Sequence, residues 1–203
     1  MNLPNLLTLS RIPLMLLIIA LLYPEAESSF RWSKSFALFL FLFAALTDWL
    51  DGWLARRFGQ VSDFGKFMDA LADKVLTLGM FTSLLALGAL PIWALFPILL
   101  ILSRELLITG LRLVAAGKGK TLEAEKIGKL KTVIQLTCIS LSLAKLSVES
   151  DFTSMMSQDS LELTLSILDF STASTLILAT LITVLSGVVY LTKYWRFFLD
   201  EDK

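Results

Sequence analysis

Residues 48–73 read DWLDGWLARRFGQVSDFGKFMDALAD and decide the fold. Four of the five aspartates in this stretch form two pairs at helical spacing, Asp48 with Asp51 and Asp69 with Asp73, beside long apolar runs. Residues three or four positions apart lie on one face of a helix. If the loop between the pairs folds two helices into a hairpin, the four carboxylates converge on one small volume. Carboxylates near a bilayer are costly to keep ionised, so we expect bound cations there.

The composition is that of an integral membrane protein. Of the 203 residues, 56% are hydrophobic and 18% are charged, whereas an ordinary soluble domain carries roughly 25% charged residues. The mean hydropathy is +0.74. The length fits a single domain over residues 1–203. Because the net charge is zero, nothing predicts nucleic acid as a partner, and membrane lipid is the expected surrounding.

Cysteine and histidine usage narrows the possible chemistry. Cys138 is the only cysteine and lies in an apolar run, so neither an intrachain disulfide nor a thiolate metal cluster is possible. Histidine is absent, which leaves carboxylates to act as base and as metal ligands. Oxygen ligands alone suit hard cations such as Mg²⁺ or Mn²⁺.

Six apolar stretches predict an all-α bundle of six transmembrane helices. Each is close to the ~20 residues that a spanning helix needs. They run over residues 4–23, 35–55, 67–89, 91–113, 127–147 and 173–196. The first contains Arg11 and lacks a small-residue cleavage site, so we interpret it as a retained helix. Residues 148–172 are predicted to be a polar outer loop, with at most a short amphipathic helix around Leu161–Ile167.

The distribution of basic residues predicts the orientation in the membrane. Only Arg31, Lys34 and Lys145 fall on one side, the other fifteen of the eighteen Lys and Arg residues fall on the opposite side, and the segment 148–172 has none. Basic residues favour the cytoplasmic face. Both termini and the aspartates are therefore predicted to be cytoplasmic, in the inner membrane of a bacterial cell.

Three interpretations of the aspartates compete. They could be solvated loop charges and helix caps, or a cation pathway through the membrane. They could also bind two metal ions that stabilise the attacking and leaving oxygens of a phosphoryl displacement. Loop charges have no reason to keep helical spacing, and no series of acidic residues continues through the other predicted helices, in which Glu105 is the one acidic residue. Gly52 and Gly65 lie in the same rows as the carboxylates, where a missing side chain lets a ligand approach. The planar guanidinium of Arg56 can donate two parallel hydrogen bonds to two oxygens of a diphosphate.

The whole pattern resembles the signature of the CDP-alcohol phosphotransferase family. It reads Asp-x-x-Asp-Gly-x-x-Ala-Arg, eight residues, then Gly-x-x-x-Asp-x-x-x-Asp, with every fixed position present. The resemblance implies two divalent ions, Mg²⁺ or Mn²⁺. Asp48, Asp51 and Asp69 would bind one ion, and Asp48, Asp69 and Asp73 the other. Asp73 would also be the proton acceptor. The family further implies a homodimer.

The resemblance also implies residues that bind the donor, CDP-diacylglycerol. Its cytidine diphosphate part would contact Gly52, Arg56, Ser62 and Gly65. The opening stretch from Leu3 to Arg11 is similar to the family's amino-terminal Pro-Asn-x-x-Thr-x-x-Arg. Asn5 and Thr8 from this stretch would reach the head group. Their plain interpretation is a helix start with Asn5 as cap.

Two further stretches bear on the acceptor alcohol. Residues 104–112 read RELLITGLR and residues 128–132 read GKLKT. Both are similar to stretches of the family branch that uses glycerol 3-phosphate, which implies that Arg104, Arg112, Lys129 and Lys131 bind the acceptor's phosphate. Lys129 and Lys131 are two positions apart, so a regular helix points them in different directions.

The expected reaction is transfer of the phosphatidyl group from CDP-diacylglycerol to glycerol 3-phosphate, with CMP released. Other acceptors in the same family remain open: inositol phosphate, serine or phosphatidylglycerol. A divalent-cation carrier is an alternative from another class, although it gives no role to Arg56 or to the Arg104–Arg112 stretch. An inactive scaffold with a relict site is a third.

Overall fold

Six long helices form the described part of the chain. The computed structural model describes residues 3–23, 31–58, 63–117 and 126–199, with side chains over 10–23, 31–47, 72, 74–117, 128 and 130–194. The helices are α1 (Leu3–Leu22), α2 (Ser33–Phe58), α3 (Asp63–Ala86), α4 (Leu95–Gly117), α5 (Lys126–Ser147) and α6 (Gln158–Leu199). Over these ranges there is no strand, which confirms the predicted all-α class.

Each predicted apolar stretch coincides with one helix. For the first five, both ends agree to within four residues. The sixth helix begins fifteen residues earlier than predicted, at Gln158 instead of residue 173. Long apolar runs therefore located the helices well, and the misjudged boundary lies in a polar segment.

The predicted outer loop over residues 148–172 is wrong. Helix α5 continues into a π-turn (Val148–Phe152) and a 3₁₀ turn (Thr153–Met155), and α6 then starts at Gln158. The Ser157 hydroxyl accepts a hydrogen bond from the Ser160 backbone N–H at 3.4 Å, a typical helix N-cap. With 42 residues, α6 is about 63 Å long, roughly twice the thickness of a bilayer's hydrocarbon core. The first turns of this helix are polar, and the suggested helix around Leu161–Ile167 is part of them.

A tight turn sends α4 back alongside α3. Gly88 has a positive φ of 71°, and its N–H donates to the Leu85 carbonyl at 3.1 Å. The next N–H, from Ala89, donates to the Leu84 carbonyl at 3.0 Å. This pairing closes the end of a helix where glycine tolerates the left-handed conformation. Pro91 follows, so the helix cannot continue, and α4 runs antiparallel to α3.

The helices pack around one apolar core. Helix α5 packs most extensively against α6, α1 packs against both α2 and α3, and α4 packs against α6. Fully buried side chains fill the centre: Ile18, Phe41, Met80, Phe81, Leu84, Ile139, Leu143 and Leu176. We call the end with the close of α2 and the start of α3 the motif end, and the opposite end the far end.

Three described helices are long and apolar enough to cross a membrane: Ile92–Gly117, Leu130–Met155 and Gln158–Tyr194. Shorter apolar helices are Ser10–Leu22, Ser33–Thr47 and Lys74–Ala86. Many large apolar side chains lie on the outer surface, among them Leu16, Phe39, Phe96 and Leu185. Such a surface is stable in lipid and supports the predicted membrane protein.

Polar contacts join the helices at the far end. The Lys34 ammonium donates to the carbonyls of Leu21 and Leu22 at the end of α1. Asp151, from the π-turn, is 1% exposed. Its Oδ2 accepts from the Ser35 backbone N–H at 2.7 Å and from the Ser35 hydroxyl at 2.6 Å. Asp151 thus caps the first turn of α2 from another part of the chain, because the N–H groups there have no partner within the helix.

Candidate active site

The aspartate motif lies on two consecutive helices. Asp48 and Asp51 belong to α2, and Asp69 and Asp73 belong to α3. Both segments are helical throughout, so the helical spacing on which the prediction depends is present in each aspartate pair. The side chains of all four fall outside the described residues, so their convergence stays a prediction.

The other residues predicted from the family signature are placed only by their backbone. Gly52 and Arg56 lie on α2, Gly65 lies on α3, Asn5 and Thr8 lie on α1, and Lys129 lies on α5. Ser62 lies outside the described residues. Among the side chains that are described, no group of three acidic or cysteine residues could hold a metal ion. The predicted metal site therefore depends on the four motif aspartates.

A charged cluster lies directly beside the motif. Its centre is Glu105 on α4, which is 6% exposed. Lys74 follows Asp73 on α3, and its Nζ lies 3.3 Å from Glu105 Oε2. The Lys131 ammonium, on α5, donates to Glu105 Oε1. Arg104 Nη1 lies 3.5 Å from the same oxygen. We call Lys74, Arg104, Glu105 and Lys131 the Glu105 cluster.

The cluster contains two of the four predicted acceptor residues. Arg104 and Lys131 come from different helices, and Glu105 brings them together. Arg112 lies eight residues after Arg104 on the same helix and is exposed to solvent. Of the two lysines on α5, Lys131 points inward and is buried. The Lys129 side chain falls outside the described residues.

Helix α6 contributes the surface against which Arg104 packs. A Cβ atom added at Gly187 would lie 2.8 Å from Arg104 Cγ and 3.5 Å from Arg104 Nε. Ordinary contacts begin at 3.4 Å, so only glycine leaves room for the arginine stem. Gly187 therefore sets the position of a predicted acceptor residue from a distant part of the sequence.

Three residues around Arg104 were not predicted to belong to the site: Lys74, Glu105 and Gly187. For two of them a signal was available. Lys74 directly follows the last motif aspartate, and Glu105 is a carboxylate within an apolar run, where an ionisable residue suggests function. Gly187 gives no such signal, because its role depends on which helix packs against α4.

A small pocket of about 20 Å³ lies next to the cluster, between α3, α4 and α5. Lys74, Thr77, Glu105 and Gln135 line its polar side. Phe81 and aliphatic side chains of α3 and α4 line the rest. This volume holds about one water molecule.

Comparison with known proteins places the chain in a family. The family model described as CDP-alcohol phosphatidyltransferase matches residues 1–189. The chain belongs to this family. The resemblance inferred from the aspartate motif is thus confirmed, and the protein is a phosphatidyltransferase of the CDP-alcohol type.

Two bacterial relatives have the printed name CDP-diacylglycerol–glycerol-3-phosphate 3-phosphatidyltransferase, and a plant relative has the same name with "1, chloroplastic/mitochondrial" added. The relative from Bacillus subtilis (strain 168) is 34% identical over 204 residues and covers 96% of each chain. One from Salmonella choleraesuis (strain SC-B67) is 35% identical, covering 68% of this chain and 74% of its own. A chloroplastic/mitochondrial relative from Arabidopsis thaliana is 36% identical, covering 71% of this chain and 51% of its own.

Proposed function

We propose that this protein transfers the phosphatidyl group of CDP-diacylglycerol to glycerol 3-phosphate, giving phosphatidylglycerophosphate and CMP. The observation that carries the proposal is the match to the Bacillus subtilis relative over 96% of both chains, since that relative's name states the donor and the acceptor. The complete aspartate motif on α2 and α3 supplies residues suited to the chemistry.

In this reaction the primary hydroxyl of glycerol 3-phosphate attacks the phosphorus that carries the diacylglycerol. A new phosphorus–oxygen bond forms to the acceptor, the bond to the CMP oxygen breaks, and CMP leaves with that electron pair. Asp73 takes the hydroxyl proton. Arg56 binds the diphosphate and offsets negative charge as it develops on the leaving group. The cytidine diphosphate part of the donor is bound by Gly52, Ser62 and Gly65. The donor's head group is contacted by Asn5 and Thr8.

The motif's donor set fits two divalent ions. Four carboxylates at helical spacing on two consecutive helices offer oxygen ligands alone, which Mg²⁺ and Mn²⁺ prefer. Asp48, Asp51, Asp69 and Asp73 would hold the ions. When bound, two divalent ions neutralise the diphosphate and make the acceptor hydroxyl more acidic. This help matters because an aspartate, with a reference pKa of about 3.9, is a weak base at neutral pH.

We further infer that all six helices cross the inner membrane, with the motif end at the cytoplasmic face. The motif end has most of the basic residues, as the positive-inside rule requires. Glycerol 3-phosphate and the cytidine nucleotide are charged, water-soluble groups, so the site must open to water. The whole chain acts as one domain, and the family resemblance favours a homodimer.

An acceptor panel tests the function. Purified protein in lipid nanodiscs receives CDP-diacylglycerol with glycerol 3-phosphate, inositol phosphate, serine or phosphatidylglycerol, and CMP release is measured. We expect turnover with glycerol 3-phosphate alone. Selective turnover with another acceptor would refute the assignment within the family, and cation flux in liposomes without nucleotide would favour a carrier. The variants Asp48→Asn and Asp69→Asn should lose CMP release while keeping wild-type helix content by circular dichroism.

A further inference from the structure

Asp151, at the far end, is a buried carboxylate with one oxygen that lacks a hydrogen-bond partner. The residue lies in the π-turn that follows α5 and is 1% exposed. Its Oδ2 accepts two hydrogen bonds from Ser35, one from the backbone N–H and one from the hydroxyl. Its Oδ1 is equally enclosed and has no partner among the described residues. Since buried polar atoms are nearly always hydrogen-bonded, Oδ1 needs a donor.

The two neighbouring serine hydroxyls do not supply that donor. A hydroxyl has a single hydrogen, and Ser35 donates its own to Asp151 Oδ2 at 2.6 Å. The hydroxyl oxygens of Ser35 and Ser147 are 2.7 Å apart, so Ser147 must be the donor in that pair. Both hydrogens are therefore used in one chain of bonds, which runs from Ser147 through Ser35 to Oδ2.

The Lys34 ammonium is close to this network and has one N–H that is not yet used. It is buried and donates to the carbonyls of Leu21 and Leu22 at the end of α1. An ammonium has three donors, so one remains. The negative charge of Asp151 acts on this ammonium. In the described part of the chain, however, the ion pairs at the far end involve Lys145 and not Lys34.

A water molecule suits this pair of groups better than a metal ion does. Water accepts a hydrogen bond from an ammonium and donates one to a carboxylate, and buried waters make two to four such bonds. Lys34 already offsets the negative charge of Asp151. A metal ion between them would be repelled by the ammonium, because like charges repel strongly in a poorly polarisable interior. Larger ligands do not reach Oδ1, since this atom is closed off from the surface.

We propose that one water molecule occupies a buried site between Lys34 and Asp151, where it accepts from the Lys34 ammonium and donates to Asp151 Oδ1. Lys34 contacts the end of α1, and Asp151 contacts the start of α2 through Ser35. The shared water makes these two sets of contacts depend on each other. The site lies away from the aspartate motif and is independent of the proposed function.

Crystallography of the whole chain in a lipidic phase, at a resolution that shows ordered water, is the direct test. We expect one solvent peak within about 2.7–3.2 Å of both Lys34 Nζ and Asp151 Oδ1. The peak should be absent from Lys34→Met, whose side chain is of similar length and has no donor. A direct ion pair between the two side chains, an anomalous peak at this position in crystals soaked with Mn²⁺, or no density there would each overturn the proposal. So would a peak that persists in Lys34→Met.

A double-mutant cycle tests the mutual dependence in solution. Lys34→Met and Asp151→Asn are made singly and together, and the equilibrium constant of unfolding is measured by chemical denaturation in detergent micelles. Groups that share a hydrogen-bonded network have non-additive effects, and we expect the departure from additivity to be about tenfold. Additive effects, within about twofold, would overturn the coupling. If Asp151→Asn does not fold, the crystals of wild type and Lys34→Met decide.

Asp169→Asn combined with Lys34→Met is the matched control. It removes the direct ion pair of Asp169 with Lys145, 2.6 Å long, at the same end of the bundle. Because this pair lies outside the proposed network, its effect should add to that of Lys34→Met within about twofold. A departure as large as that between Lys34 and Asp151 would indicate a general response of the far end and would overturn the specific link.

Discussion

Substitution of Gly187 by alanine should impair the enzyme although Gly187 has no chemical group to contribute. The added Cβ would lie 2.8 Å from Arg104 Cγ, whereas ordinary contact begins at 3.4 Å. The arginine stem or the backbone of α6 must therefore shift, and an ordinary contact needs about 0.6 Å more separation between the two atoms. Since a misplacement of about 1 Å can cost on the order of 100-fold in rate, we expect kcat/KM for glycerol 3-phosphate to fall about tenfold.

The stability of the same variant should change little. Alanine in a helix is favoured over glycine by about 1 kcal/mol, and forcing a methyl group into a packed contact costs roughly 1–3 kcal/mol. The free energy of unfolding should thus fall by at most about 2 kcal/mol, which thermal unfolding followed by circular dichroism can measure. Activity would be lost from a protein that is still folded.

CMP release at varied glycerol 3-phosphate concentration is the assay for Gly187→Ala. Gly117→Ala is the matched control, because a Cβ added there meets no atom of the described residues within 4 Å. The control should retain wild-type kinetics. Equal kcat/KM values in Gly187→Ala and Gly117→Ala, within twofold, would show that the position of Arg104 against α6 does not matter for the reaction.

Three further outcomes are expected. Asp151→Ala leaves the Ser35 N–H without its acceptor and should lower the free energy of unfolding by about 2–3 kcal/mol; a change below about 0.5 kcal/mol in chemical denaturation would contradict the cap. Gly79→Leu should lower the Tm, because a Cβ there would already lie 2.3 Å from Met15 Sδ. Adding Met15→Ala should restore part of that loss, and no recovery would argue against the contact. Chelation by EDTA should abolish CMP release and added Mg²⁺ or Mn²⁺ should restore it, whereas undiminished turnover in EDTA would exclude a divalent-ion requirement.

The apolar helices could be predicted from the sequence because their length is set by the thickness of a bilayer. The turn after α3 was also signalled, by Pro91. The start of α6 was missed, since its first turns are polar and hydropathy does not separate a polar helix from a loop. The hydroxyl of Ser157 caps that helix, and a single serine in a segment rich in serine and threonine is a weak signal.

The candidate site was predictable only in part. The aspartate spacing and the resemblance identified the motif, Arg104 and Lys131. The ion-pair partners of those two cations depend on how α3, α4 and α5 pack together. The spacing of residues along one helix contains no information about this packing. The ion pairs of Glu105 and the contact of Gly187 with Arg104 could be recognised only once the helices were packed together.

Anomalous scattering from crystals grown with Mn²⁺ and a CDP-diacylglycerol analogue tests most directly whether the motif aspartates hold paired ions. We predict two peaks about 3.5–4 Å apart, the usual separation in two-metal sites. Oxygens of Asp48 and Asp69 should bridge both, with Asp51 on one ion and Asp73 on the other. A single peak, or peaks away from these four aspartates, would contradict a two-metal displacement.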